Sequence, residues 1–369
     1  MPIPVFHITA AITKALMSLE ADRQAIIELP IDVEMLRSLR ETARLAATHY
    51  STQIEGNRLT QTQVQETLAG AQFPGRERDA VEVRNYYRAL EEVERLVQNP
   101  NFVHQAGPLT EADIRRLHGL VVQGQPSPTP YRDGQNVIRD SLSGAIVYLP
   151  PEAHDVPSLM VDLVAWVSEE LNRGELPAPL VAALAHYQFA TVHPYYDGNG
   201  RTARLLTTLI LHWSGYGLKG IYSLEEYYAQ NLTRYYAALA VGPSHNYYFG
   251  RAEADVTGFV AYFCMGMAKA FAAVRAQAVQ AAKRGAQDRS PLLRQIDPRQ
   301  RRLLDLFRRQ GTATGGEIAA HLGLSPRTVV ALCRDWLVSG FLVLHDPSRK
   351  NRSYRLAPNY ERLIAASDA

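Results

Sequence analysis

The sequence predicts a mainly α protein: a large helical body carrying one short β-hairpin, followed by a small α+β unit at the C-terminal end. Apolar residues recur at i, i+3, i+4 spacing over seven stretches before residue 286, the pattern of helices with one buried face. Strand-like alternation is confined to Ser143–Tyr148 and to 341–344 and 353–356. Asp288, Arg289, Ser290, Pro291, Asp297 and Pro298 break the helical pattern and divide the two parts. The expected organisation is an N-terminal helical region over 1–100, a helical core over 101–288 and a small unit over 289–369.

The helical stretches are 32–54, 77–98, 110–123, 156–172, 179–192, 201–214 and 255–285. Leu159, Leu163 and Val167 make one apolar stripe; Val181, Ala185, Phe189 and Val192 make another. Thr110 with Asp113 reads as a capping box, and Gly215 with Gly217 closes the helix that holds Leu205, Leu209 and Trp213. Ser143–Tyr148 follows a Gly/Asn/Asp-rich stretch and stops at Pro150-Pro151, which suits a short hairpin. Beyond the break, helices are expected over 299–310, 315–323 and 326–339, ahead of the two short strands.

Composition excludes several classes. In 369 residues, 46% apolar and 21% charged side chains argue against disorder and coiled coil. The longest apolar run, Phe259–Ala268, is well short of the roughly 20 residues that cross a bilayer. Met1–Pro30 lacks a basic start and a pure apolar core, so a cytoplasmic protein with no membrane partner is expected. Cys264 and Cys333 have no Cys or His at metal spacing and read as buried hydrophobes. The net charge of +2 is uneven: residues 291–369 carry 13 Lys+Arg against 7 Asp+Glu, leaving 26 against 30 for the rest. An acidic body and a basic tail need separate explanations.

The chemistry is concentrated in residues 193–204, His-Pro-Tyr-Tyr-Asp-Gly-Asn-Gly-Arg-Thr-Ala-Arg, between two helical stretches. Gly198 and Gly200 allow close backbone approach, and the first amides of the following helix point unpaired N–H groups at a ligand, which suits phosphate. Arg201 and Arg204, three residues apart, can fork onto the same anion. Asp197 is a hard oxygen donor for Mg²⁺, which is usually held by one or two carboxylates plus substrate phosphates. His193 can accept a proton near neutral pH. Taken singly, these would be a cap, a turn and a surface salt bridge; their combination within twelve residues carries the reading.

This segment resembles the signature of the Fic (Fic/DOC) family, His-Pro-aromatic-x-Asp-Gly-Asn-Gly-Arg-x-x-Arg, with Tyr195 where Phe is usual. The resemblance implies a protein adenylyltransferase that moves AMP from ATP to a Ser, Thr or Tyr hydroxyl of a target protein, itself included. It implies His193 as base, Mg²⁺ on Asp197, and Gly198, Asn199, Gly200, Arg201 and Arg204 on the nucleotide, with Tyr235 and Tyr236 near the adenine. Tyr131-Arg132 followed by Ser143–Pro151 resembles the family's flap, in which Ile146, Val147 and Tyr148 would dock the target by β-augmentation. Gly242–Gly250 departs from the family's pattern. Ser51-Thr-Gln-Ile-Glu55-Gly56 resembles its inhibitory motif, here preceding the core; Ser51 and Glu55 share a helix face, and Glu55 would pair with Arg204 and misalign ATP. The same glutamate implies removal of AMP as a reverse activity, and the family implies a homodimer.

Residues 297–358 fit a winged helix-turn-helix: Gly323 makes the turn, Ser325 caps a helix with Pro326 at its first position, and Val329, Leu332 and Trp336 face inward. Arg327, Thr328 and Arg334 on the outer face, with Arg349, Lys350 and Arg352 at the wing tip, are the candidate DNA contacts. The alternative to the enzyme is therefore a DNA-binding transcriptional regulator whose Fic core senses nucleotide or is inert.

Overall fold

A computed structural model of the chain describes residues 4–29, 31, 33–98, 109–139, 144–242, 244–288, 296–348 and 352–365. They form two compact units, residues 1–29 with 38–277, and residues 30–37 with 278–369. The N-terminal helices thus cluster with the helical core.

The helices that lie wholly or mostly in the first unit are α1 (Ala10–Glu28), α2 (Val33–Ile54), α3 (Gln61–Leu68), α4 (Glu77–Gln98) and α5 (Glu111–Gln123). The hairpin strands β1 (Ile138–Arg139) and β2 (Ile146–Tyr148) follow, then α6 (Val156–Arg173), α7 (Ala178–Val192), α8 (Asn199–Trp213), α9 (Glu225–Gln230), α10 (Leu232–Leu239) and α11 (Thr257–Asp288). α1, α3, α9 and α10 were not anticipated. Local signals for two of them are present: Thr9 caps α1, whose buried residues Ile12, Ala15, Leu19, Asp22 and Ile26 keep helical spacing, and Thr60 with Gln63 forms a capping box on α3. The expected box of Thr110 with Asp113 opens α5.

α7 is the centre of this unit. Every residue from Pro179 to Phe189 is buried, as befits a helix that is apolar nearly all round. It packs against α6 and α8. α11 contains the one stretch, Thr257–Gln280, that among the described residues is long and apolar enough to cross a membrane. Phe259, Phe263, Cys264, Met267 and Phe271 of that stretch are buried in the unit, so it serves as a core helix.

The second unit holds α12 (Pro298–Gln310), β3 (Ala313–Thr314), α13 (Gly315–Leu322), α14 (Pro326–Val338), β4 (Leu342–Asp346), β5 (Ser353–Leu356) and α15 (Pro358–Ala365). The strands form one antiparallel sheet in the order β3-β5-β4. Asp297, Thr314 and Ser325 cap the three helices, and Gly323, at φ +69°, turns the chain between α13 and α14. Leu303, Phe307, Ile318, Val329, Cys333, Trp336, Phe341 and Leu356 build a separate core. Both cysteines are free and buried, with thiols pushed up to about 12 at Cys264 and about 11 at Cys333 by burial.

Candidate active site

The 193–200 loop joins two buried helices, and its shape is held from inside. α7 ends at His193, which takes the left-handed conformation (φ 50°, ψ 61°) and donates its backbone N–H to Phe189 O at 3.0 Å. The Tyr195 ring is buried and lies flat on the His118 imidazole of α5, with centroids 3.5 Å apart. Asn199 Oδ1 accepts from Tyr195 N (2.9 Å) and its Nδ2 donates to Tyr195 O (2.7 Å). The Asn199 side chain is therefore a clasp on the loop. Gly198 has φ +78°, and a Cβ there would lie 2.9 Å from Val122 Cγ1, so glycine is needed on both counts.

His193 is half-buried. Its Nδ1 faces the Ala190 carbonyl at 3.4 Å, which fixes Nδ1 as the proton carrier and leaves Nε2 as the acceptor. Burial, with a smaller push from the Arg132 charge against the help of Ala190 O, brings its pKa down to about 4. The ring is neutral at physiological pH, the state a general base needs.

An anion cradle follows. Arg204, fully buried on α8, donates Nη2 to Glu55 Oε1 at 2.8 Å and to Ser51 O at 2.9 Å, and Nε to Ser51 Oγ at 2.8 Å. Burial opposes the charge on Arg204, but Glu55 outweighs it and the guanidinium's pKa rises. The Glu55 carboxylate lies against the first turn of α8: a Cβ on Gly200 would collide with its Oε1 and come within 3.3 Å of Arg204 Nη1. A carboxylate thus occupies the place where the helix N-terminus and Arg204 converge on negative charge. Gly56, at φ +94°, ends α2 just past Glu55. Arg201, buried, donates Nη2 to Asp197 Oδ1 (3.1 Å) and approaches Glu82 Oε1 (4.0 Å).

Asp197 is 67% exposed at its side chain, and its Oδ1 accepts from the Gly198 amide at 2.7 Å. Among the described residues no group of three or more His, Cys, Asp or Glu could alone hold a metal. A single accessible carboxylate beside a phosphate cradle fits Mg²⁺, which completes its shell with phosphate and water oxygens.

The paired tyrosines part company. Tyr235 is 2% exposed, stacked on Tyr228 with its hydroxyl 2.9 Å from His186 Nε2, so it belongs to the core and offers no face to a base. Tyr236 is 48% exposed and donates its hydroxyl to Ile54 O, at the end of α2, at 3.2 Å.

The hairpin expected from Ser143–Tyr148 is present as an antiparallel β1–β2 pair; Ser143 itself lies outside the described residues. Ile146 and Val147 are exposed. Tyr148 is buried and donates to Thr191 O at 2.8 Å, so it anchors the strand while its two neighbours stay exposed. The divergent Gly242–Gly250 segment lies on the free edge of this strand: Leu149 N donates to His245 O (2.7 Å), Tyr247 N to Leu149 O (3.1 Å), and His245 Nδ1 to Val147 O (2.9 Å).

Three buried polar residues complete the site without a periodic signal to reveal them. His118 bridges Thr129 Oγ1 (2.6 Å) and Asp197 O (2.8 Å), its pKa pushed down to about 4 by burial. Glu225 accepts from Tyr86 at 3.1 Å, and Arg132 binds backbone carbonyls around the loop. In the second unit Arg327, Thr328 and Arg334 are exposed on α14 beside Asp335, and Arg352 is exposed. Among the described residues no carboxylate pairs with these arginines, and Arg349 and Lys350 lie outside them.

Residues 108–211 match the model of the Fic/DOC family. The chain is 28% identical over 225 residues to protein adenylyltransferase fic-1 of Caenorhabditis briggsae, covering 60% of this chain and 42% of that protein. It is 29% identical over 203 residues to protein adenylyltransferase Fic of Drosophila willistoni, covering 55% and 39%. The chain thus spans less than half the length of these relatives. Among solved structures, a Fic family protein from Desulfovibrio desulfuricans superposes with a TM-score of 0.56 at 23% identity, over 96% of this chain and 98% of that one. Fic-1 of Caenorhabditis elegans gives 0.57 at 27% identity, over 75% and 74%.

Proposed function

The chain carries a Fic/DOC-family domain, and from that premise we propose that it is a protein adenylyltransferase held off by its own Glu55. The observation that carries this reading is the convergence of one neutral histidine and one anion cradle on a single loop. His193 Nε2 takes the proton from a hydroxyl of the target. The freed oxygen attacks the α-phosphorus of ATP, a P–O bond to the target forms, the bond to the β-phosphate breaks, and pyrophosphate leaves. The first amides of α8 with Arg204 and Arg201 hold the phosphates, so catalysis is positioning and charge stabilisation. Mg²⁺, held by Asp197 together with phosphate oxygens, would neutralise charge on the leaving group.

Glu55 occupies that cradle. A triphosphate meeting Arg204 must displace the carboxylate or bind out of line, which makes the Ser51–Glu55 turn of α2 a brake. ATP labelled at the α or γ position tests both statements. Label is expected on protein from the α position alone, ~10-fold or more faster with Glu55→Gly, and ~100- to 10,000-fold slower with His193→Ala. Label from the γ position only would replace this reading with phosphotransfer.

Arg327, Arg334 and Arg352, exposed and without a carboxylate partner among the described residues, favour a second role for the C-terminal unit as a winged helix-turn-helix that binds duplex DNA. Asp335 on the same face works against phosphate and makes the test informative. A duplex shift that weakens with salt and is lost in Arg327→Ala with Arg334→Ala supports it; a shift unchanged by both removes it.

A further inference from the structure

Arg132 is 3% exposed, yet among the described residues no carboxylate lies within ion-pair distance of it. Burial pulls its pKa down. A buried cation without a counter-ion is costly, and it is kept only where its hydrogen bonds are complete. Here every bond goes to a backbone carbonyl: Nε to His193 O at 3.0 Å, Nη1 to Gly134 O at 3.0 Å, and Nη2 to Pro151 O. Its own backbone N–H donates to Pro194 O at 2.9 Å.

These four carbonyls are not a random set. Gly134 precedes β1 and Pro151 follows β2, so one guanidinium holds both feet of the hairpin. His193 and Pro194 are the start of the catalytic loop. His193 is in the left-handed region, which costs a non-glycine residue about 1–2 kcal/mol and persists only where the surroundings over-determine it. Arg132 supplies that restraint on its carbonyl side, and a lysine could not, because its single ammonium lacks the planar fork.

We propose that Arg132 is a positioning residue that fixes the base His193 and the flap to one frame, so that a hydroxyl on a segment docked along β2 meets Nε2 in register. This rests on the transferase reading above. Its consequence is a separation of functions: the nucleotide cradle of α8 does not touch Arg132, so losing the fork spoils transfer and spares ATP binding.

The test compares Arg132→Lys and Arg132→Met in full-length protein that also carries Glu55→Gly. With α-labelled ATP, the limiting rate of self-labelling is expected to fall ~100-fold in both, the effect of a reacting group misplaced by about 1 Å. The ATP concentration for half-maximal rate should stay within ~3-fold of the parent. Hydrogen exchange should show faster exchange at the His193 and β2 amides of Arg132→Lys, with the middle of α7 unchanged. Parental self-labelling in Arg132→Lys overturns the proposal, as does a loss of ATP binding in step with rate, or unfolding of both variants. If the Glu55→Gly parent takes no label, the transferase reading fails; the exchange experiment still decides whether Arg132 holds loop and flap together, and unchanged exchange overturns it.

Discussion

At the scale of single residues, the arginine at 204 and the glutamate at 55 define each other. Removing Glu55 takes from a fully buried guanidinium the one carboxylate that hydrogen-bonds it, the kind of broken pair that destabilises a protein. Glu55→Gly should therefore melt at a lower temperature than wild type without ligand. ATP should raise its melting temperature by more than it raises wild type's, because only there is the cradle free; an equal rise would mean that Glu55 does not compete with nucleotide. Ser51→Ala strands the Nε donor of Arg204 in the interior and should cost about 1–3 kcal/mol in urea unfolding. The sequence made the 193–204 residues and the Ser51/Glu55 pair legible because they combine reactive types at fixed spacing. It could not separate Tyr235 from Tyr236, adjacent and chemically equal, since their difference lies in what packs on each: Tyr228 and His186 on one, the end of α2 on the other. Nor could it show that the Asn199 amide clasps the Tyr195 backbone.

At the scale of elements, helices with an apolar stripe were readable to within about three residues at each end, and the first-residue rules held at Thr110 and Ser325. α9 and α10 escaped because each is a short, tyrosine-bearing piece, six and eight residues long, which gives periodicity little length to show itself. The edge partner of the flap escaped as well, since Ser244–Arg251 follows no strand or helix pattern. In the proposed function α2 is the element with a regulatory task. Its C-terminal end is tied down by Arg204 from one side and by the Tyr236 hydroxyl on Ile54 O from another. Tyr236→Phe removes the second tie and keeps the ring, so it should raise self-labelling from α-labelled ATP by a smaller factor than Glu55→Gly; a rate unchanged from wild type would show that Glu55 alone sets the brake.

At the scale of the molecule, burial has pushed four histidines well below their ordinary value: His118, His193 and His212 to about 4, and His186 to about 3. In the unfolded chain each takes a proton near pH 6.5, so between about pH 6.5 and 4 the unfolded state binds more protons than the folded one. Stability should rise with pH through that window, and the urea midpoint at pH 5 should lie below that at pH 7; a midpoint that is flat or higher at pH 5 contradicts the burial of these rings. One further consequence concerns solubility. A two-stranded hairpin with an open side is a template for strands of other chains, and proteins commonly cap such sides. Here His245 and Tyr247 close the side of the hairpin at Leu149 and leave only its outer part open. The segment that departs from the family pattern therefore also limits how much of the flap can recruit another copy, and loosening it by His245→Pro should appear as concentration-dependent self-association in light scattering.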